Sequence, residues 1–353
     1  MSISIREKFY GCITGAHIGS SMGAVVEGWQ YSRIEETYGT FDRLARYEHY
    51  GNGWKRAPGT TEDGIERQKL MITAIIEKQD RVTAEDVRKA WVDHIKPISI
   101  GMVSEPFEAE LLKMANTKMP ASDIGRYCDY AGLNSFARAC HPIGLINAGD
   151  ELGAKESVFE VGQLYQTAQS RGLQWAAVTA VAIAAATRPG ATVDTVLSAI
   201  FDNCHPDIVV KEIDRQLKAS ARCADFRALR VHFDQVYNGI GMPYSMSSAN
   251  EVVTKSVCIF KMVEGDVFKA MIAGVNLGRD TDCITAVAAG ISGALGGAAS
   301  IPQAMIDQCD AATRENIYTN TQRTLRENAD GLYNAYRARL AKMKALMTMM
   351  DEG

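Results

Sequence analysis

The sequence predicts an all-α protein, and three observations carry that expectation. Apolar residues recur with a period near 3.6 along most of the chain, and no stretch gives a convincing β-hairpin. Two charge-free runs, residues 9–26 and 283–306, carry glycines three and four residues apart, the spacing of one helix face. Helix-start signals, a Thr or Asp followed by further acids, precede several of the apolar runs. Neither a tandem repeat nor a splitting linker interrupts the 353 residues, so a single domain over 1–353 is expected.

The first helix is expected over residues 3–26, where Gly11, Gly15, Gly19 and Gly23 form a flat stripe for another backbone or a ligand. Glycine is costly inside a helix, so tertiary packing must supply the stability. Glu27 closes this run beside Gly28 and Trp29. Residues 30–60 mix Tyr, Gly and charge without a period and predict an irregular surface loop near the site. Thr61 fits the cap of the next helix, with Glu62 and Asp63 in its first turn. Thr83 and Asp86 start a helix to about His94, and another follows over about 105–116.

Residues 132–146 form a Gly- and Pro-punctuated loop bearing Asn134, Ser135, Arg138 and His141. The stretch 156–186 reads as helical, with the Ala-rich GLQWAAVTAVAIAAA forming a second all-apolar core helix, stopped at 188–190. Further helices are expected near 192–202, 206–219, 223–237, 248–263 and 266–275, then one or two amphipathic helices after Ile301.

Composition narrows the function. The net charge of −4 with no basic cluster excludes a nucleic-acid partner. The opening MSISIREKFYGC lacks the basic-then-apolar order of a signal peptide. Eight cysteines without short metal spacings read as reduced thiols, and the expected location is cytoplasmic. Both charge-free runs are rich in Gly, Ala and Ser, without basic flanks, which favours buried helices over membrane spans.

The chemistry concentrates at two acidic helix starts far apart in sequence. Asp280 and Asp282 open the run GRDTDCITAVAAGISGALGGA, and Thr61, Glu62 and Asp63 open the helix GIERQKLM. One carboxylate at a helix start is welcome for its own sake, but two so close call for a cation between them. If the two starts face one another, they form a set of hard oxygen ligands suited to Mg²⁺, Mn²⁺ or Ca²⁺ and not to zinc. No G-x-S-x-G, P-loop, H-E-x-x-H or Rossmann fingerprint competes with this reading.

NLGRDTDCITAVAAGISGALGG resembles the second metal motif of the ADP-ribosylglycohydrolases, a family that includes the enzyme reactivating dinitrogenase reductase and the J1-crystallins. That motif usually runs N-L-G-G-D-T-D-T. TTEDGIERQKLM is similar to the first metal motif, usually T-D-D-T. GCITGAHIGSSMGAVVEGW is similar to the opening helix, and LNSFARACHPIG to the substrate loop.

The resemblance implies an all-α orthogonal multi-helix bundle with Mg²⁺ (or Mn²⁺), one or two ions, in a central cleft. It implies hydrolysis of the glycosidic bond at the anomeric carbon of a ribosyl or ADP-ribosyl group on a small molecule or a modified protein. Thr61, Glu62, Asp63, Asp280 and Asp282 would then hold metal, with Cys283 where the family places a threonine ligand. Glu27 or Asp63 would be the catalytic base. Asn134, Ser135 and His141 would meet the substrate.

Five departures stand out: Glu62 for Asp, Cys283 for Thr, Ser20 for Asp, Arg138 one place before the family's arginine, and no His in GQLYQTAQSRG, where many members carry T-H. They leave a second reading, a non-catalytic metal- or nucleotide-binding or structural member of the same fold. In a third, the acids only cap helices.

Overall fold

The computed structural model describes residues 3–49, 51–103, 106–240 and 246–352, with the backbone alone at 106 and 107. In chain order its α-helices are α1 (Ile5–Gly23), α2 (Tyr31–Tyr38), α3 (Asp63–Lys78), α4 (Ala84–His94), α5 (Pro106–Ala115), α6 (Ala121–Ile124), α7 (His141–Ile146), α8 (Glu151–Gly162), α9 (Arg171–Ala186), α10 (Val193–Asn203), α11 (Lys211–Ser220), α12 (Phe226–Val236), α13 (Ala249–Met262), α14 (Val267–Val275), α15 (Thr281–Gly296), α16 (Gln303–Glu315) and α17 (Leu325–Glu352). Among the described residues, the strands are the two-residue β1 (Tyr47–Glu48) and β2 (Lys55–Arg56), paired antiparallel with Tyr47 opposite Arg56.

Helix α15 is the axis of the bundle, packed by α1, α9, α13 and α14. Its contact with α1 is the most extensive in the molecule, and the glycine stripe explains why. A Cβ at Gly11 would collide with the Gly293 carbonyl, at Gly15 with the Ala289 carbonyl, and at Gly23 with the backbone of Asp282. The two helices therefore touch backbone to backbone along four turns. Around them one continuous apolar cluster extends from Phe9 to Tyr336. At the far end of α9, Lys8 Nζ donates to the carbonyls of Ala186 (2.6 Å) and Arg188 (3.0 Å), a cation at the C-terminal end of the helix.

Several expectations need correction. The first helix stops at Gly23 rather than residue 26, because the chain turns to meet α15 and Gly28 takes φ +78°. Residues 30–60 are not wholly irregular. YSRIEETY forms α2 with Ile34 as its one buried residue, too short to show a period. β1 and β2 are likewise too short to alternate.

Thr61 is not the cap of α3. Glu62 occupies that position and caps nothing with its side chain. The Ala-rich core helix is present as α9, capped by Ser170, which accepts from Leu173 N, and the helical stretch before it is the separate α8, ending at Gly162. Before Lys211, residues Pro206–Val210 wind as a wider π-helical turn.

The Thr83–Asp86 capping box is present as expected. None of the eight cysteines is in a disulfide, and each except Cys223 is buried. Among the described residues no helix is long and apolar enough to cross a membrane.

Gly15→Ala is expected to destabilise the fold by about 1–3 kcal/mol through overpacking. It should do so although alanine is the better helix former by up to about 1 kcal/mol. Urea unfolding of the variant beside the parent chain checks the sign.

Candidate functional site

The α1–α15 contact sets the first part of the site. Thr281 Oγ1 donates to the Gly23 carbonyl at 2.7 Å, which fixes the start of α15 against the end of α1. Asp280 holds the N-cap position but makes no side-chain cap bond, so its carboxylate is free for other partners. Oδ2 accepts from Asn134 Nδ2 at 2.7 Å. Oδ1 of Asp280 and Oδ1 of Asp282 are buried without a hydrogen-bond partner. Buried polar atoms are rarely left this way without a role. The ligand atoms of Asp280, Asp282 and Cys283 lie within 4.8 Å of one another, the one group of three or more such ligands among the described residues.

Arg279, just before Asp280, takes φ +69°, a conformation that an L side chain seldom adopts. It is pinned on three sides. Its N–H donates to the Trp29 carbonyl (2.7 Å), its carbonyl accepts from Gly28 N (2.8 Å), and its guanidinium forks onto Glu251 at 2.6 and 2.9 Å. Lys255 shares that buried carboxylate at 2.6 Å. Glu27 is thereby held beside the start of α15.

Glu27 keeps 21 % of its side-chain surface exposed and meets His49 Nε2 at 3.4 Å, which makes this pair the solvent edge of the acidic cluster. Burial, then the charges of Asp282, Asp280 and Asp63, push the Glu27 carboxyl well above the usual carboxylate range. Burial and the adjacent Asp280 push Asp282 up to about 8. Burial keeps the Cys283 thiol protonated.

The other acidic start does face this one, through Arg138. Its Nη1 donates to Asp63 Oδ1 at 3.2 Å and to Cys283 Sγ at 3.2 Å, and stands 3.8 Å from Asp282 Oδ2. Its Nη2 donates to Asp63 Oδ2. Burial alone would raise the Asp63 carboxyl, but Arg138 and then Arg67 outweigh it and hold it low.

Glu62 turns to other partners, the ion pair with Arg56 and the Tyr47 hydroxyl, which donates at 2.7 Å. Its burial still raises it to about 8. Thr61 Oγ1 accepts from Lys69 Nζ at 3.0 Å.

In the loop before α7, Ser135 is buried. Its carbonyl accepts from Arg67 at 3.3 Å, and its hydroxyl accepts from Gln166 at 3.4 Å. His141 is placed in the packing between α3 and α15, away from the cluster. Nδ1 accepts from Gln68 Nε2 (3.1 Å) and Nε2 donates to the Ala286 carbonyl (3.1 Å). Burial lowers its pKa to about 4, so the ring is neutral. Gly290 leaves the space the ring fills.

The structure thus gathers Glu27, Asp63, Asn134, Asp280, Asp282 and Cys283. It directs Thr61, Glu62, Ser135 and His141 to protein partners. Sequence reasoning missed Arg56, Lys69, His49 and the Arg279–Glu251–Lys255 cluster. For Arg138, the displaced register in the loop was the only signal.

The protein-family model described as ADP-ribosylglycohydrolase matches residues 1–341. A solved structure described as "ADP-ribosylglycohydrolase-related protein complex" superposes with a TM-score of 0.65 at 17% identity, covering 95% of this chain and 99% of that one. At that identity the likeness concerns the fold alone. No curated protein matches the chain.

Over the range between the ordinary aspartate pKa and about 8, the folded chain keeps a proton at Asp282 that the unfolded chain has lost. Stability in chelator is therefore expected to fall as pH rises through that window. Urea midpoints from about pH 5 to 8 measure the slope, and Asp282→Asn should flatten it. A midpoint rising with pH in the parent chain would contradict this.

Proposed function

The chain belongs to the ADP-ribosylglycohydrolase family, and from that premise we propose that it hydrolyses the glycosidic bond at the anomeric carbon of a ribosyl, ADP-ribose-like substrate. The observation carrying this reading is the pair of unpartnered buried oxygens on Asp280 and Asp282, beside a Glu27 whose carboxyl burial and the neighbouring aspartates raise well above the usual range. Those oxygens are aimed at something the chain does not supply, and ribose hydroxyls or a hard cation both suit them.

Members of the family are typically metal-dependent, and the residues fit one ion better than two. Asp280 and Asp282 would hold Mg²⁺ or Mn²⁺, which when bound polarises ribose hydroxyls and water. Cys283, kept as a neutral thiol, is a poor partner for a hard ion. Glu62 and Asp63 already carry Arg56 and Arg138.

Of the two candidate bases, Asp63 has both oxygens on Arg138, whereas Glu27 stands at the solvent edge. Glu27 is therefore assigned the proton transfer. Protonated, it can give its proton to the departing oxygen or nitrogen as the anomeric bond breaks. As a carboxylate, it then accepts a proton from the attacking water. Asn134 holds Asp280 in place, and nearby negative charge favours the oxocarbenium-like transition state. The ligand is a ribosyl or ADP-ribosyl compound, free or attached to protein.

The ion pairs at positions 62 and 63 favour one alternative, a non-catalytic relative that binds a metal or nucleotide. Turnover of ADP-ribose attached to arginine, serine and acetate decides between them. Glu27→Gln is expected to lower kcat by about 10²–10⁴-fold, and Asp280→Ala and Asp282→Ala to abolish turnover. Thermal stabilisation by Mn²⁺ with no turnover of any of the three substrates would favour the binding protein.

A further inference from the structure

Every polar side chain of the first acidic start meets a cation of the protein itself. Lys69 holds the Thr61 hydroxyl and the Glu66 carboxylate, Arg56 pairs with Glu62, and Arg138 forks onto Asp63. The second start differs, since Asp280 and Asp282 each keep a buried oxygen without a partner. Between the two lies the Arg138 guanidinium, which touches Asp63 on one side and Cys283 on the other and stands 3.8 Å from Asp282.

Two features of the sequence make room for it. Gly64, the second residue of α3, has no side chain, and a Cβ there would fall 2.9 Å from Arg138 Cδ and 3.2 Å from Nε. Cys283 offers a polarisable sulfur at 3.2 Å. A guanidinium is charged at all accessible pH, carries donors in a fixed fork and is more weakly hydrated than an ammonium.

We infer that Arg138 is a built-in cation joining the two acidic helix starts, so that this chain takes a single divalent ion, at Asp280 and Asp282, and not a pair. The inference deepens the proposed function by fixing how many ions the site accepts. It rests on charge placement, and turnover does not enter its test. A second divalent ion beside Asp63 would sit against a fixed positive charge and compete for oxygens already hydrogen-bonded. The positive charge that relieves Asp63 is covalently part of the chain and cannot be removed by a chelator.

The test counts Mn²⁺ bound to the full chain by equilibrium dialysis and by electron paramagnetic resonance, with thermal unfolding in chelator and in Mn²⁺. The parent chain is expected to bind one ion, and Asp280→Ala none. Arg138→Ala, which strips Asp63 of its cation, is expected to bind a second ion and to gain more melting temperature from Mn²⁺ than the parent does. Gly64→Thr displaces Arg138 without removing it, and the same gain is expected there. This second variant carries the test if Arg138→Ala does not fold. Two Mn²⁺ ions or none on the parent chain would overturn the inference, as would an unchanged count in the folded variants. One ion bound without turnover of any ribosyl substrate leaves the inference standing and removes the hydrolase reading instead.

Discussion

The backbone contact between α1 and α15 is the constraint from which the rest of the architecture follows. Glycines at 11, 15, 19 and 23 let two buried helices meet closely, backbone against backbone at 11, 15 and 23 and against Thr285 at 19. Such a contact fixes axial register as well as distance, because each missing Cβ faces a particular carbonyl or Cα. The turn after Gly23 therefore arrives beside the start of α15 with little freedom, and Glu27 arrives with it. The intrinsic cost of four glycines in one helix is offset by the dispersion and apolar burial of a core that closes around the pair.

A second constraint is the treatment of charge in that core. Burying a carboxylate is tolerated when a cation or several donors come with it. Around α3 this is done pair by pair, with Arg56, Lys69, Arg138 and Arg67 each meeting an acid. Around Glu251 it is done by Arg279 and Lys255 together. Against that background Asp280 and Asp282 stand out as neighbouring carboxylates that each keep a buried oxygen without a partner, whereas Glu151 keeps one by itself beside Arg188. The contrast marks the start of α15 as the chemically open part of the cluster. Helix starts alone would not, since those of α1, α4, α8, α9, α10, α12 and α14 are each satisfied by an ordinary side-chain cap.

Much of this was legible in the sequence. The all-α class, the close helix packing implied by Gly11 to Gly23 and the Thr83 cap follow from spacing and residue type, whereas the meeting of the two acidic starts entered only as a condition. Family resemblance added the bundle type and the reaction class. What stayed hidden was mostly long-range. Arg56 sits in a stretch without a period, yet it is fully buried because the short β1–β2 pair folds it onto Glu62. His141 looked like a loop histidine near substrate, yet Gly290, far along the chain, gives it a slot in the packing. A cation was expected between the acids, but no local pattern indicated that residue 138 would supply one.

The pinning of Arg279 bears on how the cleft can receive a ligand. Its backbone ties the Glu27 turn to the start of α15 from both directions, and its side chain ties both to α13. Spreading Glu27 away from Asp280 would break two backbone hydrogen bonds and expose a buried guanidinium fork. That wall consequently behaves as a rigid gauge. Movement of the Glu27 carboxylate is left to its own side-chain rotations and to His49, the partner it meets at the solvent edge.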